Sequence, residues 1–476
     1  MEIPSLCWCL LLAGCLQLDA GYTQQPSAES SADDGADPLF LSPLIKDCNI
    51  SEARAKSNVT FFKQFGIQAN AHSGYITVNE ETGSNLFFLF IEAEQNCSAA
   101  PLMLWTQGGP GLSSLFGLLL QNGPVAFEYG KNISKRDLTI QQHVNIIYLD
   151  APVGAGFSFT NNQSGYPRLL PNVTKDIKEF LNQFLVLFPE FMDRDFYTAG
   201  DSYGARYSVA LAQDMLSRPS DLRLYFQGVI GGVGFLGPIF EIADSSEFLL
   251  QTSMLNQEGY KTFKEQFEKM RQLASTGNMT LVGLALKMLF DTIFTSTSKT
   301  HFQNLTLYND QASPLYTERP LDMISCVLYA NSSLFKTAIH AGVNSSIQYA
   351  NPELLQAFVF DWALDITQIV EYVLNKTRVL FYTGQIDALF PSTNLQGYFE
   401  KLNWTYKEEY VNADRHLWRP YAQSYNGAGY LKSMHNFTSM VMLGMSHFAG
   451  YDKPVETYYL MREFIERNIS FSLQTE

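Results

Sequence analysis

The sequence predicts an α/β fold: a mostly parallel central sheet flanked by helices, with an inserted, mainly helical cap. Three observations predict it. Short apolar runs recur along the chain, continuous rather than alternating, as expected of strands buried on both faces. Segments with helical spacing lie between them, the arrangement that parallel crossovers require. The alternation lapses over about residues 240–345, where the segments are helix-like, and resumes near Arg378.

Composition bounds the rest. The chain has 476 residues, 46% hydrophobic and 14% aromatic, which supplies a sizeable core and excludes a disordered protein. Only 17% is charged, and 32 Lys and Arg against 47 Asp and Glu leave a net charge of −15. Without basic clusters, neither nucleic acid nor an anionic membrane surface is expected as a partner.

Residues 6–18 (LCWCLLLAGCLQL) form an apolar run too short to span a bilayer and suited to a signal peptide. Residues 1–20 are read as that signal, cleaved after Ala20, so no membrane anchor remains. Leu12–Cys15 (LAGC) also resembles a bacterial lipoprotein box, a reading that the glycosylation acceptors disfavour. Residues 21–37 are small, polar and acidic and read as a disordered leader, and residues 38–476 as one α/β domain with the inserted cap. Buried strands are expected at Asn85–Ile91, Pro101–Thr106, Val144–Leu149, Asp195–Ala199, Phe226–Ile230, Arg378–Tyr382 and Ser439–Leu443, and helices at Val173–Phe188 and Ala205–Leu216.

Asn-x-Ser/Thr occurs at Asn49, Asn58, Asn96, Asn132, Asn162, Asn172, Asn278, Asn304, Asn331, Asn344, Asn375, Asn403, Asn436 and Asn468. So many acceptors point to a glycoprotein of the secretory pathway, secreted or lysosomal, and each one used must be on the surface. Once the signal leaves, Cys48, Cys97 and Cys326 remain, which allows at most one internal disulfide. The sequence leaves open whether the mature chain forms a homodimer.

Gly200-Asp201-Ser202-Tyr203-Gly204 is G-x-S-x-G, directly after the strand DFYTA and before the helix ARYSVALAQDML. A bare G-x-S-x-G is weak evidence. Between strand and helix it reads as a nucleophile elbow, a tight turn that exposes the Ser202 hydroxyl. A serine needs a base, and the base needs an orienting acid. Asp387 stands just past the strand RVLFY, and His447 just past SMVML. The order Ser, Asp, His and the strand-end positions favour these two over the bland reading of each. An oxyanion hole needs backbone N–H groups beside the elbow: Tyr203 supplies one, and the Gly-rich loop Gln107–Gly111 after PLMLWT is expected to supply the other. No metal-ligand spacing occurs, and no metal or other cofactor is expected.

Together these residues resemble the serine carboxypeptidase family of the α/β-hydrolase fold, and are most similar to its vitellogenic-like branch. The resemblance runs from Asp37 nearly to the C-terminus through LWTQGGPGLSS (104–114), NGPVAF (122–127), DAPVGAGFSF (150–159), GDSYGARY (200–207), TGQID (383–387) and SHFAGYDKP (446–454). It implies Ser202 as nucleophile with Asp387 and His447, Gly109 and Tyr203 as oxyanion donors, and peptides with a free C-terminus as substrates, cleaved one terminal residue at a time through an acyl-enzyme.

The resemblance also implies a site for the substrate's terminal carboxylate, built in the family from an Asn and two Glu that share a proton. The matching positions here hold Gln107, Gln121 and Asp201. Gln121 is expected to keep a donor at any pH. Asp201 is one methylene shorter than Glu, which puts its reach to Gln121 in question. Val233 stands where Asn or Asp is usual, and Leu112 where many members have Cys. With such departures the scaffold could instead serve a secreted binding protein with an impaired site, or an esterase or acyltransferase.

Overall fold

The computed structural model describes residues 37–467 except 295–297, 348–349 and 422. The signal segment, all but Asp37 of the acidic leader, and Asn468 lie outside the described residues. Twelve strands are present among them: β1 (Ala71–Asn79), β2 (Ser84–Ile91), β3 (Leu102–Thr106), β4 (Val125–Glu128), β5 (Asn132–Lys135), β6 (Asn145–Leu149), β7 (Arg194–Asp201), β8 (Leu224–Gly232), β9 (Arg378–Gly384), β10 (His416–Trp418), β11 (Gly429–Met434) and β12 (Phe437–Met442). Ten form one sheet in the order β1-β2-β6-β3-β7-β8-β9-β12-β11-β10, and β4 and β5 pair separately.

The six central strands, β6 through β12, run parallel. The strands outside them are antiparallel. β2 shows what a continuous apolar run reports. All eight of its residues are buried, yet it pairs antiparallel with both β1 and β6. Such a run signals two covered faces. Direction follows from the connection, here a short turn from β1 through Gly83 at φ +63°.

The two faces hold separate cores. Leu86, Phe88 and Phe90 of β2 point into one, and Phe87, Leu89 and Ile91 into the other. The first is covered by the helix Leu170–Leu187, whose Phe180 and Phe184 rings meet Phe88 and Phe90 at centroid distances of 5.3 and 5.1 Å. The helix Tyr203–Ser217 packs beside it on the same face. The helix Pro454–Ile465 puts Leu460, Met461 and Phe464 into the other core. Each such fully buried large side chain contributes about 1.5–3 kcal/mol. These layers immobilise the parallel strands whose ends carry the candidate site.

Among the described residues no strand lies between Gly232 and Arg378. That stretch includes the helices Gln257–Ala274 and Met279–Leu289, packed on each other, and Leu321–Ala330. Cys48 and Cys97 are exposed free thiols, and Cys326 is a buried one, so the one disulfide that the count allows is absent.

Ten of the acceptor asparagines are exposed: Asn49, Asn58, Asn96, Asn162, Asn172, Asn278, Asn304, Asn344, Asn375 and Asn403. Asn331 and Asn436 are half-buried. The Asn331 amide is committed: its Nδ2 donates to the carbonyls of Val327 (3.1 Å) and Ile347 (3.4 Å), and its Oδ1 accepts from the Ile347 N–H at 2.8 Å. A glycan on Nδ2 would break this clamp. Site-by-site mass spectrometry of protein from a glycosylating host is expected to find Asn331 unoccupied while the exposed acceptors carry glycans. Full occupancy at Asn331 would contradict the clamp.

Candidate active site

The register brings the carboxyl ends of the central strands level. Thr106 pairs with Gly200, Asp201 with Gly232, Gly232 with Tyr382 and Gly384 with Met442. Loops leaving β3, β7, β9 and β12 therefore emerge along one edge, the usual place for a ligand on an open parallel sheet.

At the end of β7 the chain turns sharply into the helix Tyr203–Ser217. Ser202 sits at the turn with φ +57° and ψ −118°, a conformation that costs a non-glycine residue about 1–3 kcal/mol. Its neighbours enforce it. The Ser202 N–H donates to the Gly232 carbonyl at 2.8 Å, and the Ser202 carbonyl accepts from Phe235 (3.0 Å) and Ala205 (3.2 Å). Both motif glycines are sterically required. A Cβ on Gly200 or Gly204 would lie 2.5 or 2.3 Å from the Thr106 carbonyl oxygen at the end of β3. Val233, one residue past β8, has φ +41° and donates to the Tyr382 carbonyl at 2.7 Å. An Asn or Asp tolerates that left-handed backbone, whereas a β-branched residue costs about 1–2 kcal/mol there.

The three residues placed far apart in sequence meet. His447 Nε2 is 3.0 Å from Ser202 Oγ, and His447 Nδ1 is 2.9 Å from Asp387 Oδ2. Asp387 is fully buried, and its other oxygen accepts from the N–H groups of Leu389 (2.8 Å) and Phe390 (2.9 Å). The carboxylate is thus fixed on both oxygens and can orient the imidazole. The Phe390 ring stands edge-on to His447 at 5.2 Å. The His447 N–H donates to the Ala312 carbonyl at 3.2 Å, so the helical stretch before β9 also holds this loop. Next door, Ser446 donates from both N–H (2.8 Å) and Oγ (2.5 Å) to Asp452.

The Gly-rich loop after β3 lies against the elbow. A Cβ on Gly108 would be 2.7 Å from the Ser202 Cβ and 3.1 Å from the Tyr203 nitrogen. Gly109 follows at φ +120°, where glycine is favoured. The loop's backbone therefore runs beside the first N–H of the helix, next to the Ser202 hydroxyl.

Gln107, Gln121 and Asp201 are all buried beside the elbow. Gln121 Nε2 donates to Asp201 Oδ2 at 2.8 Å and to the Phe448 carbonyl at 3.3 Å, so the shorter acid does reach its partner. Gln121 is the last residue of the buried π-turn Gly117–Gln121. Tyr382 donates to Asp201 Oδ1 at 2.6 Å. Burial pushes the Asp201 carboxyl up to about 6, against the Tyr382 hydroxyl, His447 and Gln121, which pull it down. The Trp105 indole N–H donates to Gln107 Oε1 at 3.2 Å. Gln121 Oε1 is sealed from solvent and accepts no hydrogen bond, an arrangement that costs about 1–3 kcal/mol.

Reasoning from the sequence missed several supports. Arg206 and Asp361, both fully buried, form an ion pair at 3.0 Å. Asp361 also accepts from the Tyr203 hydroxyl at 2.6 Å, and Arg206 donates to the carbonyls of Asp361 and Leu364. The pair pins the helix behind Ser202 to the short turn Val359–Ala363. Arg206 lies in the block GDSYGARY, but nothing local marks Asp361 as its partner. Tyr382 and Asp452 likewise lie within or beside motifs already singled out, without a signal of what they bond.

A parallel sheet with a serine at a strained strand–helix turn and acid and histidine at later strand ends defines an α/β-hydrolase. The yeast prohormone-processing carboxypeptidase Kex1(Δ)p has the same fold, with a TM-score of 0.70 at 16% identity, covering 87% of this chain and 96% of that one. Residues 62–467 match the sequence profile of the serine carboxypeptidases, and the chain belongs to that family. By class it is a serine-type carboxypeptidase. It is 29% identical to the human probable serine carboxypeptidase CPVL (91% of this chain, 90% of the relative). It is 28% identical to the vitellogenic carboxypeptidase of Aedes aegypti (91% of each) and 30% to the venom serine carboxypeptidase of Apis mellifera (91% of each).

The environment of Asp201 has a thermodynamic consequence. Its folded pKa of about 6 exceeds the ordinary 3.8, so the native state holds this proton more tightly than the unfolded chain. That contribution to stability is complete below about pH 4 and is lost as pH rises through 6. Relative to Asp201→Asn, the wild type is expected to lose about 2–3 kcal/mol of unfolding free energy between pH 4 and 7, read by urea titration. A difference that does not vary with pH would contradict this.

Proposed function

We propose that the chain cleaves C-terminal residues from peptides through a Ser202–His447–Asp387 triad and an acyl-enzyme. The observation that carries the reading is the unbroken hydrogen-bond chain from Ser202 Oγ through His447 to the buried Asp387, at 3.0 and 2.9 Å.

The chemistry follows from the geometry. His447 Nε2 takes the Ser202 proton as Oγ attacks the scissile carbonyl, and Asp387 holds the tautomer with the proton on Nδ1 and stabilises the imidazolium. The N–H groups of Tyr203 and Gly109 take the developing oxyanion. The helix beginning at Tyr203 adds a favourable field at the same point. His447 then protonates the leaving amine. Water, activated by the same histidine, hydrolyses the ester on Ser202. Gln107, Gln121 and Asp201 bound the site on the side of the leaving residue. The acceptor asparagines support a glycoprotein of the secretory pathway, secreted or lysosomal. Among the described residues no helix is long and apolar enough to cross a membrane.

Release of terminal residues from N-blocked dipeptides at pH 4–7 tests the reading. Ser202→Ala is expected to lower kcat by roughly 10⁴-fold or more. A fluorophosphonate probe is expected to label the wild type at Ser202 and to leave the variant unlabelled. Equal rates for the two proteins would overturn the proposal.

A further inference from the structure

A cavity of about 490 Å³ opens at the edge of the sheet opposite Ser202. β9 begins there with Arg378 and β12 with Phe437, whereas Asp387 and His447 follow the other ends of those strands. Its wall includes Asp414, Ser433, Asn436 and Arg467, with apolar surface from Met434 and Phe464. Asn436 belongs to the acceptor Asn436-Phe437-Thr438. Met434 pairs with Phe437, which leaves His435 and Asn436 as the two-residue turn between β11 and β12. The turn is held in place: His435 has φ +49°, its Nε2 lies 2.8 Å from Glu409 Oε2, and its ring stacks on Tyr406 at 3.6 Å. Asn436 is half-buried, its carbonyl accepts from the Val379 N–H at 2.7 Å, and its side-chain amide makes no hydrogen bond among the described residues. Asn331, also half-buried, has both of its amide atoms engaged. Burial therefore differs in meaning at the two positions. One amide is part of the packing. The other is uncommitted in the wall of a cavity of small-ligand size, a range of about 300–1,000 Å³.

The lining matches one kind of occupant. The Asp414 carboxylate accepts hydrogen bonds, the Arg467 guanidinium donates them, and the Ser433 hydroxyl does both. Arg467 Nη2 donates to Gln227 Oε1 at 2.7 Å, and a guanidinium has further N–H groups. A sugar hydroxyl donates and accepts, so it can satisfy all three. Its ring C–H face and the methyl of an N-acetyl group suit Met434 and Phe464. A small anion is a poorer match, because it would share the cavity with the Asp414 carboxylate, and Arg378 is already turned to the Phe464 carbonyl. We propose that the cavity is a saccharide site whose ligand is the first N-acetylhexosamine of a glycan on Asn436. The linkage forms between Asn436 Nδ2 and the anomeric carbon of the sugar. The bond from that carbon to a lipid diphosphate donor breaks, the diphosphate leaves with the electron pair, and the amide nitrogen gives up a proton. Seated there, the sugar joins the turn before β12 to Asp414 beside β10 and to Arg467 beyond the helix Pro454–Ile465. It thereby braces the strand that leads to His447. The inference rests on the reading of the chain as a glycoprotein of the secretory pathway.

Site-by-site mass spectrometry of the full chain from a glycosylating host tests it, before and after the folded protein is treated with a peptide N-glycosidase. Asn436 is expected to carry a glycan and to release it at least about 10-fold more slowly than the exposed Asn375 and Asn403. Prior denaturation is expected to remove the difference. Asp414 and Arg467 are both exposed, and their replacement leaves the core intact. In the double variant Asp414→Ala, Arg467→Ala, release at Asn436 is expected within about 2-fold of the exposed sites, at unchanged occupancy. Three outcomes overturn the inference: Asn436 bare while Asn375 and Asn403 carry glycans, release as fast as theirs, or protection that the double variant leaves intact. Glycans at none of the acceptors overturn it together with the secretory reading.

Discussion

The contact on which the structure depends is the approach of the β3 end to the elbow after β7. The Thr106 carbonyl lies so close to Gly200 and Gly204 that no side chain fits at either position. Between these glycines Ser202 is driven to φ +57°, and two backbone hydrogen bonds to β8 and its following loop, with a third from Ala205 of its own helix, keep it there. Strain at one residue is small beside the burial on the two faces of the sheet, so the fold can hold it. What it yields is a hydroxyl lifted clear of the strand and aimed along the line of strand ends where His447 waits.

Around that turn the site is assembled by pieces of chain with no local reason to meet. The helical stretch before β9 supplies the Ala312 carbonyl that catches the His447 backbone, and the Asp361 carboxylate that catches Tyr203 and Arg206. Both contacts bear on the reacting residues from outside the sheet. A buried ion pair of this kind is poor evidence for stability, since desolvation offsets most of the attraction. Its evident effect is positional: it sets the angle of the helix whose first N–H faces the site. The glutamine cluster shows the same logic at smaller scale. The short acid meets an amide that a distant π-turn carries.

Much of this was legible in the sequence. The strands carrying Ser202, Asp387 and His447 were expected from continuous apolar runs, and they occur within two residues of the expected ends. β1, β10 and β11 of the main sheet, and the separate pair β4 and β5, were not singled out. β11 has one less covered face, as its mixed burial shows, whereas β1 is largely buried but carries His72, Ser73 and Gly74, which interrupt the apolar run. β2 was recognised as buried, but its antiparallel direction depends on a connection and not on composition.

The order of motifs along the chain, the spacing of glycines around Ser202 and the acid and histidine just past strand ends were decided by the sequence alone. Each is a local requirement: a turn too tight for a side chain, or a polar group where a buried strand stops. Only the tertiary structure decided which way the amides of Gln107 and Gln121 point, that Asp201 reaches Gln121, and that Asp361 is the partner of Arg206. Apart from Trp105, two residues from Gln107, the donors and acceptors that fix these outcomes come from 80 to 327 residues away. The one-dimensional pattern records that a polar group is present and leaves unstated which group it will meet once the chain has packed.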